Sequence, residues 1–526
     1  MLAEARRYRV FAGDLWRYLA RDFPPEECRR ILADELGNRE TVFLELLDRA
    51  VYRRPASPYR ALLAHAAIEH GDVAGLVREG GIEHALDRLH AAGVYLTLDE
   101  FKSRRPIVRA GGLEFHAADR DFDNPVLRRG YEGWSGGSSG APRRTMVNFA
   151  QYVHQTATQR LLLEAFGIFG RPLVIWRPAP PGRTGFSNAL RALRLQIPVE
   201  WYSQSPLGFR DVEIQDWLAL RTAFVATRLR RPPLPLPRYV PLRRASVIAS
   251  RVAELVARGT PPILDSTAGA GVRVALAAAA DGLDLAETFF RLGGEPLTRA
   301  RVEAIARVGG RARANYALSE LGRAGIACAA PDRLAVDDVH VLSGRVGMLL
   351  RPPAERRFDG PALVLTTLHP IAPKLMLNVE IGDTGVLVER DCGCAIGEAG
   401  FRLHLHTIRS YEKLTSEGMN FFGADLVDLV ENVLPARFGG GPTDYQFVED
   451  ELGGLPRVRL LVSPRVGDVD EAAVLEQSLA ALADGPGYRQ MMAGIWRDGG
   501  TLTVERAEPI ATPSAKVPAF HVLPRA

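Results

Sequence analysis

Apolar positions recur three and four residues apart through the first hundred residues. Phe11, Leu15 and Leu19 mark one face of an opening helix. Leu62, Leu63, Ala66 and Ile68 mark a second, and Ile82, Ala85, Leu86 and Leu89 a third. Few β-branched runs intervene, so residues 1–105 are predicted as a helical region. From about residue 105 short apolar runs alternate with helical patterns. PLVIW (172–176) and PALVLTTL (361–368) read as bounded strands, and long helical patterns follow Gly140 and Gly271. This alternation predicts α/β layering over residues 106–408. RRPPLPLPRYVPLRR (230–244) is too rich in proline for a helix interior; it reads as an extended surface connection, with a ligand for a proline-recognising module as the alternative. Residues 409–526 are predicted to form a separate α/β unit.

Composition narrows the class. The chain has 526 residues, 47% apolar and 24% charged, proportions that exclude disorder, collagen and coiled coil. A net charge of +4 spread without an arm or tail favours small anionic ligands and gives no reason to expect nucleic acid. Of the 66 basic residues only Lys102, Lys374, Lys413 and Lys516 are lysine. Each of the four therefore invites a search for chemistry that a guanidinium performs badly. Four cysteines are too few for a disulfide scaffold, no apolar stretch reaches membrane-spanning length, and Glu4 and Asp14 interrupt any leader-like segment. A cytoplasmic protein without a membrane span is expected.

Three segments carry candidate chemistry. Ser135, Gly136, Gly137, Ser138, Ser139, Gly140 and Arg143 lie in GYEGWSGGSSGAPRRT (130–145). Glycine lets backbone N–H groups crowd a phosphate, serine adds donors, and Arg143 supplies countercharge. The spacing is not that of a Walker A loop, and the flanking aromatics argue against a linker. In FFRLGGEPLTRARVEAI (289–305) a strand ends at Leu292, Gly293–Pro296 turn, and Thr298 caps a helix. The next strand is expected to end near Tyr316, delivering Tyr316, Ser319 and Glu320 to a strand edge where α/β sheets bind ligands. The third segment group is IGDTG (381–385), IRSYEKLTSEGMNFF (408–422) and ATPSAKVPAF (511–520), with Asp383, Arg409 and Lys516 as its polar candidates.

In this order the segments resemble the adenylate-forming superfamily of acyl- and aryl-CoA synthetases, most closely its phenylacetate–CoA ligase branch. The resemblance runs from about residue 125 to 520. It implies an α/β fold: a large N-terminal domain of layered α/β subdomains with a helical N-terminal region, plus a small mobile α+β C-terminal lid. It also implies an AMP-forming ligase that joins a small carboxylic acid to ATP and passes the acyl group to CoA, a separate carrier protein or another nucleophile. By the same resemblance, the loop 135–143 holds the outer phosphates and Gly294, Glu295 and Pro296 flank adenine. Tyr316 stacks on the base, Ser319 contacts the α-phosphate or the acid, and Glu320 holds Mg²⁺. Asp383 binds ribose, Arg409 binds nucleotide at the lid boundary, and Lys516 stabilises charge on the reacting oxygens.

The departures are specific. Ala141 and Ala317 stand where the branch has lysine and glycine, Asn378 and Glu380 where it has arginines, and Tyr411-Glu412 where a charged hinge pair is usual. Cys328, His340, Cys392 and Cys394 resemble a structural zinc set of the branch; buried unpaired cysteines with a surface histidine are the alternative. LDSTAGAGVRVALAAA (264–279), with Glu295 about two dozen residues past Gly271, is open to a second reading as an S-adenosylmethionine or dinucleotide site, although Val274 breaks the fingerprint. A catalytically retired fold that only binds nucleotide is the third reading.

Overall fold

A computed structural model describes residues 2–127, 132–135, 143–146, 148–180, 182–206, 214–230, 232–333, 335–353, 360–410, 413–416, 419–485, 487–510, 517 and 519–522. The chain divides into two units. One comprises Met1–Glu132, Thr145–Gly167 and Asn315–Tyr411; the other comprises Gly133–Arg144, Ile168–Ala314 and Glu412–Ala526.

In the first unit the predicted helical periodicity is realised. Phe11, Leu15 and Leu19 are buried on helix Leu2–Ala20, as are Ile82, Ala85, Leu86 and Leu89 on His70–Ala91. That second helix is broken at Gly80-Gly81, where Gly81 takes φ 80°. Helix Pro58–His65 stops short of Ala66 and Ile68, because Ala67 turns into the left-handed region at φ 53°. Asn148 caps helix Phe149–Ala165, and Tyr18 meets it through the Phe149 ring at 5.6 Å and a 2.8 Å hydrogen bond with Thr156.

Around these helices lie antiparallel strands in the order Asp383–Glu389, Leu403–Ser410, Val339–Val341, Gly322–Ala327 and the end of Arg311–Leu318. A second antiparallel sheet holds Val346–Arg351, Ala362–Thr367 and Val379–Glu380. Buried Glu35 ties helix Pro25–Gly37 to both layers: Arg345 Nε donates to its two oxygens at 2.8 and 2.9 Å, and His154 Nδ1 bonds the first of them. Burial alone would raise the Glu35 carboxyl; Arg345 and His154 outweigh it and hold the pKa at about 2.

The second unit is built on parallel strands, Arg238–Tyr239, Val199–Ser203, Leu173–Trp176, Ile263–Ser266 and Phe289–Gly293 in spatial order. Leu173–Trp176 is buried along its whole length, as strands covered on both faces are. Within the proline-rich segment, Arg230 closes helix Ile214–Arg230, residues 238–239 add the edge strand, and Leu242–Arg244 form a 3₁₀ turn; Leu234, Val240 and Leu242 are buried, so the segment is not the wholly extended surface connection expected. Asp265 anchors this sheet: Arg177 and Arg291 both pair with it, and Asn188 donates at 3.0 Å from the overlying helix Thr184–Arg194. Desolvation would raise Asp265, but the two guanidinium groups bring it to about 2.

Farther along, a four-stranded sheet orders Leu502–Arg506, Leu455–Val462, Tyr445–Leu452 and Phe520–Val522; helix Glu471–Ala483 packs on its Leu502–Arg506 strand, and helix Gly487–Gly499 packs on that helix. Glu451, at its hairpin end, accepts from Thr298 Oγ1 at 2.7 Å and Arg301 Nε at 2.9 Å.

Both anchoring carboxylates titrate below their ordinary values of 4.5 and 3.8. Their stabilisation is therefore complete above those values and lost as pH falls toward about 2. Unfolding free energy from denaturant titration is expected to drop across that window, and Glu35→Gln and Asp265→Asn should each flatten the slope.

Candidate active site and cysteine–histidine cluster

Strand Arg311–Leu318 ends in the first unit, with a register shift between Tyr316 and Ala317, and Ser319 and Glu320 form the turn into Gly322–Ala327. Ala317 keeps a negative φ, so alanine on this irregular step carries no left-handed strain where the resemblance has glycine. The Tyr316 hydroxyl donates to Asp383 Oδ2 at 2.9 Å across 67 residues of sequence. Gly382, at φ 77°, turns the chain into strand Asp383–Glu389, where Asp383 faces Ser410 and Thr384 faces Arg409. The Arg409 guanidinium reaches Asp337 Oδ2 at 3.3 Å, and the same buried carboxylate accepts from the backbone N–H groups of Thr407 and Ile408 at 2.8 Å each.

Glu320 is held differently from the expectation. Its Oε1 receives Lys102 Nζ at 2.7 Å, and the two side chains are 4% and 5% exposed. The Lys102 ammonium thus neutralises charge at Oε1 of the carboxylate to which the resemblance gives Mg²⁺. Lys374 lies alongside: its backbone N–H donates to the Glu320 carbonyl at 3.0 Å, and its buried ammonium bonds Asp119 and Asp123. Lysine scarcity singled out both residues, but nothing in the sequence linked either to Glu320. Asn378, at φ 51°, donates to the Leu86 and Val94 carbonyls at 2.8 and 3.1 Å. It thus joins the helical region to the strand before Asp383, a structural use of a position where the resemblance has arginine.

In the second unit Gly294 takes φ 88°, and Thr298 caps helix Arg299–Ala306 as expected. Glu295 turns inward with a fully buried side chain, accepting from the Gly269 N–H at 3.0 Å and Arg301 Nη1 at 2.8 Å. It closes the N-terminus of helix Ala268–Ala280, which removes the acid that a dinucleotide reading requires. Ser135 ends strand Glu132–Ser135 and Arg143 opens its partner Arg143–Met146. Gly136, Gly137, Ser138, Ser139, Gly140, Ala141, Tyr411, Glu412 and Lys516 lie outside the described residues.

Thiol and imidazole donors gather in the first unit. Cys328, His340, Cys392 and His404 each place a donor atom within 4.8 Å of the others. Cys394 Sγ is 3.2 Å from His340 Nε2 and 3.4 Å from Cys392 Sγ. The His340 Nδ1–H donates to the Phe401 carbonyl at 2.7 Å, which turns the Nε2 lone pair toward the sulfurs. His404 Nδ1 is paired with Asp338 at 2.8 Å, while its buried Nε2 has no hydrogen-bond partner among the described residues. The hydrogen bond from Cys328, helped by His340 against the cost of burial, pulls the Cys394 thiol below its ordinary range. His404 is the ligand candidate that sequence reasoning missed: the Leu/His alternation of LHLHT (403–407) assigns the histidines to the face opposite the leucines, whereas the structure buries both His404 and Leu405.

No family model matches the chain, and no curated protein does either. Among solved structures, 2-hydroxyisobutyryl-CoA ligase, in complex with 2-HIB-AMP and CoA in its thioesterification state, superposes with a TM-score of 0.55 at 14% identity. The match covers 93% of this chain and 90% of that one. The fold is that of an adenylate-forming ligase. A malonyl-CoA ligase (TM-score 0.41, 14% identity, 77% and 74% covered) also matches. So does an amide bond synthetase from Marinactinospora thermotolerans (0.41, 14%, 96% and 97%). In this adenylate-forming fold no helix among the described residues is long and apolar enough to cross a membrane.

Asp337 holds the strand that presents Arg409 through charge-assisted bonds. Asp337→Ala is expected to cost on the order of 3 kcal/mol in denaturant unfolding, with Asp337→Asn recovering part of it.

Proposed function

We propose that the chain activates a carboxylic acid with ATP, forming an acyl-adenylate, and then transfers the acyl group to a thiol. The observation that carries this reading is the Tyr316–Asp383 hydrogen bond. It joins the two residues that the resemblance assigns to base and ribose, one on each outermost strand of the antiparallel group, within an adenylate-forming fold. A phenol whose hydroxyl is tied back to a carboxylate has its ring held in one orientation, as a stacking surface for a base requires. Asp383 is assigned to the ribose diol, because a carboxylate can accept several hydrogen bonds. Arg409, on the facing strand, supplies positive charge.

In this reading a carboxylate oxygen of the acid attacks the α-phosphorus, the bond to the bridging oxygen breaks, and pyrophosphate departs. The thiol then attacks the acyl carbon as thiolate, its proton passing to solvent, and AMP leaves. Ser319 is assigned to the α-phosphate or the acid. The roles of the 135–143 loop, of Gly294, Glu295 and Pro296, and of Lys516 rest on the resemblance. CoA is the favoured acceptor, with a carrier-protein thiol next. The complex described for 2-hydroxyisobutyryl-CoA ligase supports that order.

The cysteine–histidine cluster is assigned to a structural zinc ion held by Cys328, His340, Cys392 and His404, with Cys394 in reach. Sulfur and imidazole donors in a closed set suit tetrahedral zinc, and the orphaned Nε2 of His404, with Asp338 behind the ring, is the arrangement such a ligand adopts. Its contribution would be to join the loop after strand Gly322–Ala327 to the 390–404 segment.

Acid-dependent ATP–pyrophosphate exchange is the test of function, run over aryl, fatty, hydroxy and amino acids. At least one class should exchange; nucleotide binding without exchange would leave a retired binding module. Lys516→Ala is expected to lower exchange about 10²–10³-fold with ATP binding retained. Asp383→Ala should raise the KM for ATP and leave that of the acid unchanged. Purified protein is expected to carry about one zinc ion per chain. Its removal should lower Tm, and comparison of His404→Ala with Cys394→Ala identifies the fourth ligand.

A further inference from the structure

Arg301 is a buried guanidinium shared by two acids from distant parts of the second unit. Its Nε donates to Glu451 Oε2 at 2.9 Å and its Nη1 to Glu295 Oε2 at 2.8 Å. The Arg301 and Glu295 side chains are fully buried, and that of Glu451 is 6% exposed. Nη1 also holds the Pro296 carbonyl at 2.9 Å. Glu451 reaches in from the end of strand Tyr445–Leu452, and its other oxygen takes the Thr298 hydroxyl at 2.7 Å. Thr298 caps helix Arg299–Ala306, so the hairpin meets that helix at its first turn. Gly454, at φ 83°, lies flat against the same place: a Cβ there would stand 3.4 Å from the Ala300 carbonyl oxygen and the Arg301 Cα. Leu452 beside it is 65% exposed, so the hairpin end is anchored by a carboxylate and by backbone packing.

The docked arrangement is not the one that satisfies these groups best. Two carboxylates share one positive charge out of water, where an uncompensated charge is costly. Arg301 Nη2 and Glu295 Oε1 are buried with no hydrogen-bond partner among the described residues. They are a donor and an acceptor on the pair already joined through Nη1 and Oε2. A small turn of the guanidinium would bring them together and complete the two-pronged geometry that arginine and a carboxylate favour. Nε on Glu451 and Nη1 on Pro296 hold the guanidinium plane away from it, and the Thr298 hydrogen bond and the Gly454 packing offset the loss.

We propose that Arg301 is a two-position switch. With Glu451 docked, it is shared between the two acids and holds the Pro296 carbonyl. With Glu451 withdrawn into water, it forks onto Glu295 alone and lets that carbonyl go. Breaking a buried one-to-one pair strands a charge; this junction releases Glu451 and keeps a balanced pair, which makes the contact reversible. The hairpin end and the Gly293–Pro296 turn are thereby linked, each position of one favouring one position of the other. Glu451 is a positioning residue for the turn. The consequence for nucleotide, that docking readies the turn the resemblance assigns to adenine, rests on the reading above; the switch itself does not.

The test is amide hydrogen exchange by mass spectrometry on the full chain, read in peptides across the hairpin end, residues 449–456. Glu295→Gln keeps an acceptor for the Gly269 N–H and abolishes the competing charged fork. It is therefore expected to slow exchange there about fivefold or more. Equal or faster exchange in that variant, the result a plain structural tie gives, overturns the proposal. A crystal structure of Glu451→Ala is the second measurement and takes over should Glu295→Gln not fold. Arg301 with both Nη atoms on the two Glu295 oxygens supports the switch; Arg301 in its present place overturns it. Saturating ATP is expected to slow the same peptides in the wild type. If both variants behave as expected and ATP has no effect, the switch stands and the nucleotide reading has failed.

Discussion

Glu320 and Lys102 lie 218 residues apart in sequence and 2.7 Å apart in space, with Glu320 in the turn that follows the strand carrying Tyr316. A charge removed from water is tolerated only when an opposite charge or a full set of donors replaces its hydration. Once Glu320 is buried in the turn after strand Arg311–Leu318, the helical N-terminal segment must deliver an ammonium to it. That requirement commits residues 97–109 to their place in the unit. The same rule governs the neighbouring acids: Asp383 is met by Tyr316, and Asp337 by two backbone N–H groups and Arg409.

This constraint gives the helical region a structural role beside the candidate site. The resemblance matches it least clearly, yet it contributes Lys102 to Glu320 and, through Leu86 and Val94, the carbonyls that hold Asn378 ahead of Asp383. The segment is part of the apparatus that positions the strand ends. In the second unit the corresponding anchor is Asp265 between Arg177 and Arg291, which binds three parallel strands at their carboxyl ends.

The cysteine–histidine cluster follows the same physics with softer donors. His340 and His404 each have one ring nitrogen committed to an oxygen, which sets the tautomer and presents the other nitrogen to the sulfurs. Asp338 belongs to the cluster as much as the ligand candidates do, because it orients the imidazole behind which it stands.

Local pattern determined a good part of this protein. Helical spacing predicted the helices of residues 1–100, apolar runs predicted strands Leu173–Trp176 and Ala362–Thr367, and Thr298 announced its cap. The ordered string of polar segments was enough to point to the adenylate-forming fold. These signals are legible because they reside in neighbouring residues, where backbone geometry and hydrophobic periodicity act directly. The end of helix Pro58–His65 was not legible, since it depends on Ala67 turning left-handed at one residue. Nor were the partners of the buried charges. Lys102 with Glu320, Glu295 with Gly269, and His404 among the cysteines are meetings between distant segments. Sequence names the groups that need a partner; only the packed chain, by excluding water from them, decides which partner each one finds.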